Sequence, residues 1–211
     1  MIDRITGIIW DWNGTLLNDM HLCVQTMNEL LVKRNLPLLS VDGYKEVFSF
    51  PVRDYYAKIG FDFEREPFEI PALEFISRYN EQMGGCSLHP DSLDVLKYFD
   101  SVGIRQFILS AMRQEELDAN LKLHGVSQYF EHVFGLDDHY ATSKIENGHR
   151  LISDFNLNVD ELVLIGDTIH DFEVASKLGC QCVLIANGHQ TKEILQETGV
   201  LVVDRISELL S

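Results

Sequence analysis

Ile8-Ile9-Trp10-Asp11-Trp12-Asn13-Gly14-Thr15-Leu16 is the stretch on which the reading of this chain turns. An apolar run suited to a buried strand ends at an acid, then passes into a glycine turn and a hydroxyl-bearing residue. Open α/β sheets place their ligand sites at the carboxyl ends of strands, and Asp11 projects from such an end. A carboxylate there can attack phosphorus and form an acyl phosphate that water later hydrolyses. Gly14 lets the backbone approach an anion closely, and turn amides beside the Thr15 hydroxyl can cradle phosphate oxygens. Alone, the same residues read equally well as a strand-ending Asp followed by a common Asn-Gly turn.

Composition narrows the classes. The 211 residues suit one large domain, or a core domain with a smaller insert, and a hydrophobic fraction of 45% supplies a sizeable core. Lys and Arg number 17 against 33 Asp and Glu, a formal net charge of −16. That balance repels nucleic acid and anionic membranes, and no basic run offsets it. A phosphate site in such a chain needs metal and lysine to counter the local field. No apolar run approaches membrane-spanning length, and with the first strand expected almost at Met1, no leader is expected. Cys23, Cys86, Cys180 and Cys182 lack zinc-ligand spacing and read as reduced thiols. The expectation is a cytoplasmic protein, monomeric or homodimeric, whose partner is a small molecule.

Hydrophobic patterning predicts strands at residues 7–10, 106–109, 162–165, 182–185 and 200–203, with a shorter candidate at 133–135. Helical stretches fall between them, at 91–101, 114–124, 144–156 and 171–178. Strands alternating with helices imply a doubly wound parallel sheet. Residues 17–85 break that rhythm, with helical spacing at 22–34, 44–59 and 72–82 separated by Pro37, Gly60 and Pro67 to Pro71. The expected organisation is a Rossmann-like three-layer α/β core from 1–16 and 86–211. A small all-helical cap, 17–85, is inserted after the first strand.

Three later positions add chemistry. Phe107-Ile108-Leu109 runs into Ser110-Ala111, whose hydroxyl and amide can hold a phosphoryl oxygen. Leu162-Val163-Leu164-Ile165 runs into Gly166-Asp167-Thr168-Ile169-His170-Asp171, where two acids four apart form an oxygen-rich corner of the kind Mg²⁺ prefers. Lys144 opens the preceding helix, placed to offset phosphate and carboxylate charge. Each has a bland reading as cap, turn or surface residue. Nucleophile, hydroxyl, lysine and acid pair nevertheless occur in chain order, and one parallel sheet would bring them to a common edge.

With these motifs the chain resembles the haloacid dehalogenase superfamily, in its branch of phosphoglycolate-phosphatase-like and β-phosphoglucomutase-like proteins with a helical cap. The resemblance covers essentially the full length, and its first and fourth motifs are the specific ones. It implies a phosphatase in which Asp11 becomes a phospho-aspartate. It further implies Mg²⁺ held by Asp11, the Asn13 backbone carbonyl and Asp167, with Asp171 supporting. Ser110, Lys144 and the amides around Asn13, Gly14 and Ala111 would bind the phosphoryl group of a small phosphorylated metabolite, phosphoglycolate-like by resemblance.

Asn13 departs from the pattern. The usual member has an acid there, which protonates the leaving oxygen and then activates water, and an amide does neither. General acid–base catalysis is worth about 10²- to 10⁴-fold, so poor leaving groups suffer most. Three accounts stand: a substitute such as His170, His21 or Asp19; a slow phosphatase; or a non-catalytic phospholigand-binding protein. A Schiff-base route through Lys33, Lys45 or Lys58 and a phosphomutase are weaker alternatives. Ser143-Lys144-Ile145 lacks the frequent proline after the lysine, and Ser110-Ala111-Met112 lacks a polar side chain near the phosphate. In the cap, Arg53 is the candidate for substrate specificity, as a clamp for a carboxylate or phosphate. Phe48, Phe50, Tyr55 and Tyr56 read chiefly as cap core.

Overall fold

The computed structural model describes residues 5–136 and 144–210. The expected Ser143 position lies outside them. In chain order the elements are β1 (Gly7–Trp10), β2 (Leu17–Asn18), α1 (Met20–Lys33), α2 (Val41–Val47), α3 (Val52–Lys58), α4 (Glu69–Gln82), β3 (Ser87–Leu88) and α5 (Ser92–Ser101). They continue as β4 (Arg105–Arg113), α6 (Gln114–Leu123), β5 (His132–Leu136), α7 (Lys144–Asp154), β6 (Leu162–Gly166), α8 (Ile169–Leu178), β7 (Gln181–Ile185), α9 (Lys192–Gln196) and β8 (Leu201–Val203).

Six strands form one parallel sheet in the order β5-β4-β1-β6-β7-β8. Every residue of β1 is buried, as expected for a central strand covered on both faces. Alternation divides the core. Ile8 and Trp10 join Val95, Leu96 and Phe99 of α5 and Leu117 and Leu121 of α6. Ile9 faces the other way, into a cluster with Leu151 of α7 and Val174, Ala175 and Leu178 of α8. The result is the three-layer Rossmann-like core. After β1 the chain builds outward through β4 and β5, then crosses to β6, β7 and β8. The switch in direction therefore falls beside β1, and Trp10 sits opposite both Ile108 and Ile165.

Helices α1–α4 leave the sheet through a two-stranded antiparallel ribbon that pairs Leu17 with Leu88 and Asn18 with Ser87. His89 closes the ribbon on the β1 loop: its amide donates to Leu16 O, and Nε2 lies 2.9 Å from Gly14 O. The single helical stretch expected over 44–59 is two helices. Phe48 adopts an extended conformation after α2, and Pro51 starts α3 where its missing N–H costs nothing. Pro71 lies inside the first turn of α4, where proline is tolerated, so it does not separate helices as expected. Strand β4 runs four residues past its expected end, with a register shift between Leu109 and Arg113, so Ser110 and Ala111 lie within the strand. Among the described residues, no helix is long and apolar enough to cross a membrane.

Two buried polar clips hold the sheet in place behind the site. Trp10 Nε1 donates to Gln106 Oε1 at 3.0 Å, and Gln106 Nε2 donates to Leu96 O at 3.0 Å. Trp12 Nε1 donates to Asn120 Oδ1 of α6 at 3.0 Å. Trp10→Phe leaves the Gln106 carbonyl buried without its donor, at a cost of about 1–3 kcal/mol. Urea unfolding is expected to show a lowered midpoint with an unchanged slope.

Candidate active site

Adjacent strands β4, β1 and β6 deliver their ends to one edge, and the amide of Asp11 donates to Ile165 O at 2.8 Å, fixing β1 against β6 at that edge. There Asp11, Asp167 and Asp171, all buried, hold carboxylate oxygens within 4.8 Å of one another. Lys144, at the start of α7, enters from the other side of the chain. Its Nζ donates to Asp11 Oδ1 and Asp171 Oδ1, both at 2.6 Å. Asp171 is otherwise saturated: Oδ2 accepts from the Thr168 amide, the Thr168 hydroxyl and the Asp167 amide. Asp167 accepts from Thr15 Oγ1 at 2.9 Å and from the His189 amide at 2.6 Å.

One lysine does not neutralise three buried acids. Burial and the neighbouring acids push Asp11 up to about 7, against the pull of Lys144. Burial and Asp171 lift Asp167 to about 6, although the nearby His189 opposes this. Asp171 is held low despite its burial by Lys144 and the Thr168 hydrogen bond. Lys144 itself is raised against the effect of burial by its two carboxylates, so it is a firm ammonium ion.

Asn13 sits in a second network, between the core and the helices α1–α4. Its Nδ2 donates to Asp19 Oδ2 at 2.9 Å and to the Tyr79 hydroxyl at 2.7 Å, and that hydroxyl donates to Asp19 at 2.6 Å. The other Asp19 oxygen accepts from the Gly14 amide at 2.8 Å and lies 3.3 Å from His189 Nε2. Burial alone would raise Asp19, but His189, Tyr79 and Asn13 hold it at about 2. His189 is lifted to about 9, against burial, chiefly by Asp19. The pair is therefore a buried carboxylate–imidazolium, with Tyr44 Oη 3.0 Å from His189 Nδ1. Asn13 is an amide facing an ionised carboxylate, which fixes which end carries the NH₂ group.

A cavity of about 250 Å³ opens above these groups. Asp11, Asn13, Lys144, Asp167 and Asp171 line its floor, Ala111 and Met112 one side, and aromatic side chains from residues 44–79 the roof. The profile of haloacid dehalogenase-like hydrolases matches residues 8–185. The chain belongs to this family. A phosphoglycolate phosphatase of Caulobacter vibrioides is 25% identical over 206 residues, 93% of this chain and 85% of that one. A haloacid dehalogenase-like hydrolase structure from Bacteroides fragilis superposes with a TM-score of 0.85 at 19% identity, covering 98% of this chain and all of that one. Protein tyrosine kinase A of Mycobacterium tuberculosis has the same fold, with a TM-score of 0.81 at 20% identity over 98% and 97% of the two chains.

Haloacid dehalogenase-like hydrolases generally use a divalent metal, and the carboxylate cluster has the composition to hold one. The fit rests on the charge deficit: the raised Asp11 and Asp167 are carboxylates that want a cation beyond Lys144. Asp11 Oδ2 carries no hydrogen bond among the described residues, whereas Asp171 has little capacity left for direct ligation.

Several expected phosphate ligands are engaged elsewhere. Thr15 is fully buried with its hydroxyl on Asp167, so it orients that carboxylate and does not face the cavity. The Gly14 amide is spent on Asp19 and Leu17 O, while its φ of +75° and its closeness to Asp167 and His189 leave no room for a side chain. Ser110 is buried just behind Ala111, its Oγ accepting the Met112 amide at 3.1 Å. Arg53 does not reach the cavity: its guanidinium lies over the Phe63 ring, 5.0 Å from the centroid. Of the proposed substitutes for the missing acid, His21 is exposed and away from the cavity, Asp19 is locked in its ion pair, and His170 lines the wall, stacked on Phe50. Lys33, Lys45 and Lys58 do not line it.

Sequence reasoning missed His189, Tyr44 and Tyr79. The signal for His189 was present, because Val183-Leu184-Ile185 is a strand whose carboxyl end leads into Ala186-Asn187-Gly188-His189.

The raised carboxylates set a pH dependence. Between the unfolded value near 4 and the folded values of about 6 and 7, the folded chain binds protons that the unfolded chain has lost. Metal-free stability therefore falls as pH rises through that window, and a divalent cation restores it. Thermal melts with and without Mg²⁺ are expected to show a larger upward shift at pH 8 than at pH 5.

Proposed function

We propose that the chain is a Mg²⁺-dependent phosphatase that hydrolyses a small phosphorylated metabolite through a phospho-Asp11 intermediate. The observation that carries this reading is Lys144, whose ammonium bridges Asp11 and Asp171 at the floor of the cavity. A phosphoryl group entering beside Asp11 meets a fixed positive charge that also favours the ionised nucleophile, against its burial, and screens it from the incoming anion. Bound Mg²⁺, held by Asp11, the Asn13 carbonyl and Asp167 with Asp171 behind, would supply Lewis-acid polarisation of the phosphoryl oxygens. Asp11 then attacks phosphorus, and water reopens the acyl phosphate.

We infer that residues 17–85 act as the cap over the core formed by 1–16 and 86–211. Tyr44 reaches from this segment to His189, and Tyr79 accepts from Asn13 of the β1 loop, which supports closure over Asp11 and exclusion of water. Relatives named phosphoglycolate phosphatase make a small carboxylated phosphoester the substrate the family suggests. A cytoplasmic monomer or homodimer completes the reading.

The second reading is a phospholigand-binding protein that does not turn over, and Asn13 favours it. An amide has no proton to exchange with a substrate, and both Nδ2 hydrogens are held by Asp19 and Tyr79.

Phosphate release in the presence of Mg²⁺ separates the two. Asp11→Asn is expected to abolish release from every ester. Asn13→Asp puts a second carboxylate against Asp19, so the two share a proton and the new acid titrates above the ordinary carboxylate range. That variant is expected to melt at a lower temperature yet gain up to about 10²-fold in kcat on alkyl phosphates. Normal turnover in Asp11→Asn refutes the nucleophile assignment. Ligand affinity without any release from the unsubstituted chain favours the binding protein.

A further inference from the structure

We propose that the cavity above Asp11 is an aryl subsite and that the preferred substrate is the monophosphate ester of a phenol. This rests on the phosphatase reading and puts an aryl ester in place of the carboxylated one that the relatives' names suggest. Two independent features lead to it, one of shape and one of chemistry.

The wall facing Asp11 is aromatic. Tyr44, Phe48 and Phe50 approach from α2 and the segment after it, Phe75 and Tyr79 from α4, with Met112 opposite. Their rings already pack edge-to-face or stacked on one another, as with Phe48 on Phe50 at 5.5 Å and Phe50 on His170 at 4.6 Å. Phe50 nevertheless stays 39% exposed, an aromatic face beside the cavity with no full cover. A cavity of about 150 Å³ accepts benzene, so about 250 Å³ holds a phenyl ring together with a phosphoryl group.

The same wall does not suit an anionic leaving group. Among the described residues, its cations are Lys144, committed to Asp11 and Asp171, the His189 imidazolium, paired with Asp19, and Arg113, which lies 3.4 Å from both Glu115 and Glu116. Glu116 lines the cavity as well, and one of its oxygens is buried without a hydrogen bond. A carboxylate on the leaving group would find no free cation here and would face this acid.

Asn13 supplies the chemical half. Asp11 attacks phosphorus, the bond from phosphorus to the ester oxygen breaks, and the electron pair departs on that oxygen. Without an acid at position 13 the oxygen leaves unprotonated. A phenol has a pKa of about 10, whereas an alkanol lies close to water, roughly 16. Phenolate therefore departs unaided far more readily and takes its proton from solvent afterwards. Water then attacks phosphorus, the bond to Asp11 breaks to return the carboxylate, and the water's surplus proton passes to solvent with inorganic phosphate.

Two measurements on the full chain with Mg²⁺ test this. Calorimetric titration with phenylphosphonate and methylphosphonate reads the subsite without chemistry. The phenyl compound is expected to bind at least about tenfold tighter, the apolar burial of about two methylene groups being enough for that, and Phe75→Ala is expected to erode the ratio. Kinetics on 4-nitrophenyl, phenyl and 4-methylphenyl phosphate beside phosphoglycolate read the leaving group. Here kcat/KM is expected to fall steeply with leaving-group pKa, and the slope to flatten in Asn13→Asp. Equal affinity for the two phosphonates, with phosphoglycolate turned over as fast as phenyl phosphate, overturns the aryl subsite and leaves the phosphatase standing. Tight phenylphosphonate binding with no release from any ester removes the phosphatase and keeps the subsite. Neither preference nor release removes both.

Discussion

Three carboxylates crowd the end of β1 around one ammonium ion, which bonds only Asp11 and Asp171, and the surrounding structure is organised by that shortage of positive charge. The sheet order makes it unavoidable, because β1 lies between the strands that deliver Ser110 and Asp167, and Asp171 follows one helical turn later. Bringing such groups together in a dry interior is costly unless each is paired or hydrogen-bonded. The three acids meet this demand differently. Asp171 is saturated by Lys144 and the Thr168 turn, Asp167 is oriented by Thr15 and the His189 amide, and Asp11 keeps one oxygen uncommitted. The least satisfied carboxylate is Asp11, the nucleophile of the proposed reaction.

The Asn13 network extends the same logic to its neighbour. Asp19 is a fourth buried acid, close to the first three, and it is tolerated because His189 beside it is an imidazolium. An aspartate at position 13 would add a fifth negative group against Asp19, with no further cation nearby. An amide instead donates to Asp19 and Tyr79, joining the β1 loop to α4 by hydrogen bonds. The residue that costs the chain its acid–base group is thus the residue that reconciles Asp19 with the site. Position 13 and position 19 are coupled, and neither can be interpreted alone.

The strand-end acids were legible because a buried parallel strand has a strong apolar signature, and the residue that follows it is delivered to a known edge. Asp11 and Asp167 follow from that rule, and their spacing with Asp171 fixes the turn between them. Ser110 was placed at the right edge but in the wrong setting, because β4 continues through a register shift that apolar patterning does not register. Arg53 was read from its position at the start of a helix, yet a side chain's direction there depends on packing, and Phe63 captures it. Tyr44 and Tyr79 carry no local signal. They sit at apolar positions of α2 and α4, and only tertiary packing, of α4 on α1 and of α2 against the core, brings their hydroxyls to Asp19 and His189.

The aromatic roof and the amide at position 13 bear on one problem from opposite sides. An enzyme that lacks an acid for its leaving group can recover rate only from a better leaving group or from binding energy realised as the bond breaks. Polar leaving groups offer hydrogen bonds, but this wall has few free donors, since Lys144, Asn13, Tyr79 and Arg113 are already engaged. A planar apolar group offers contact area, which a wall of Phe48, Phe50 and Phe75 can match without asking for a proton. A roof of this composition over a donor-poor floor is consistent with a site that relies on the chemistry of the departing oxygen, because the protein around it no longer supplies that proton.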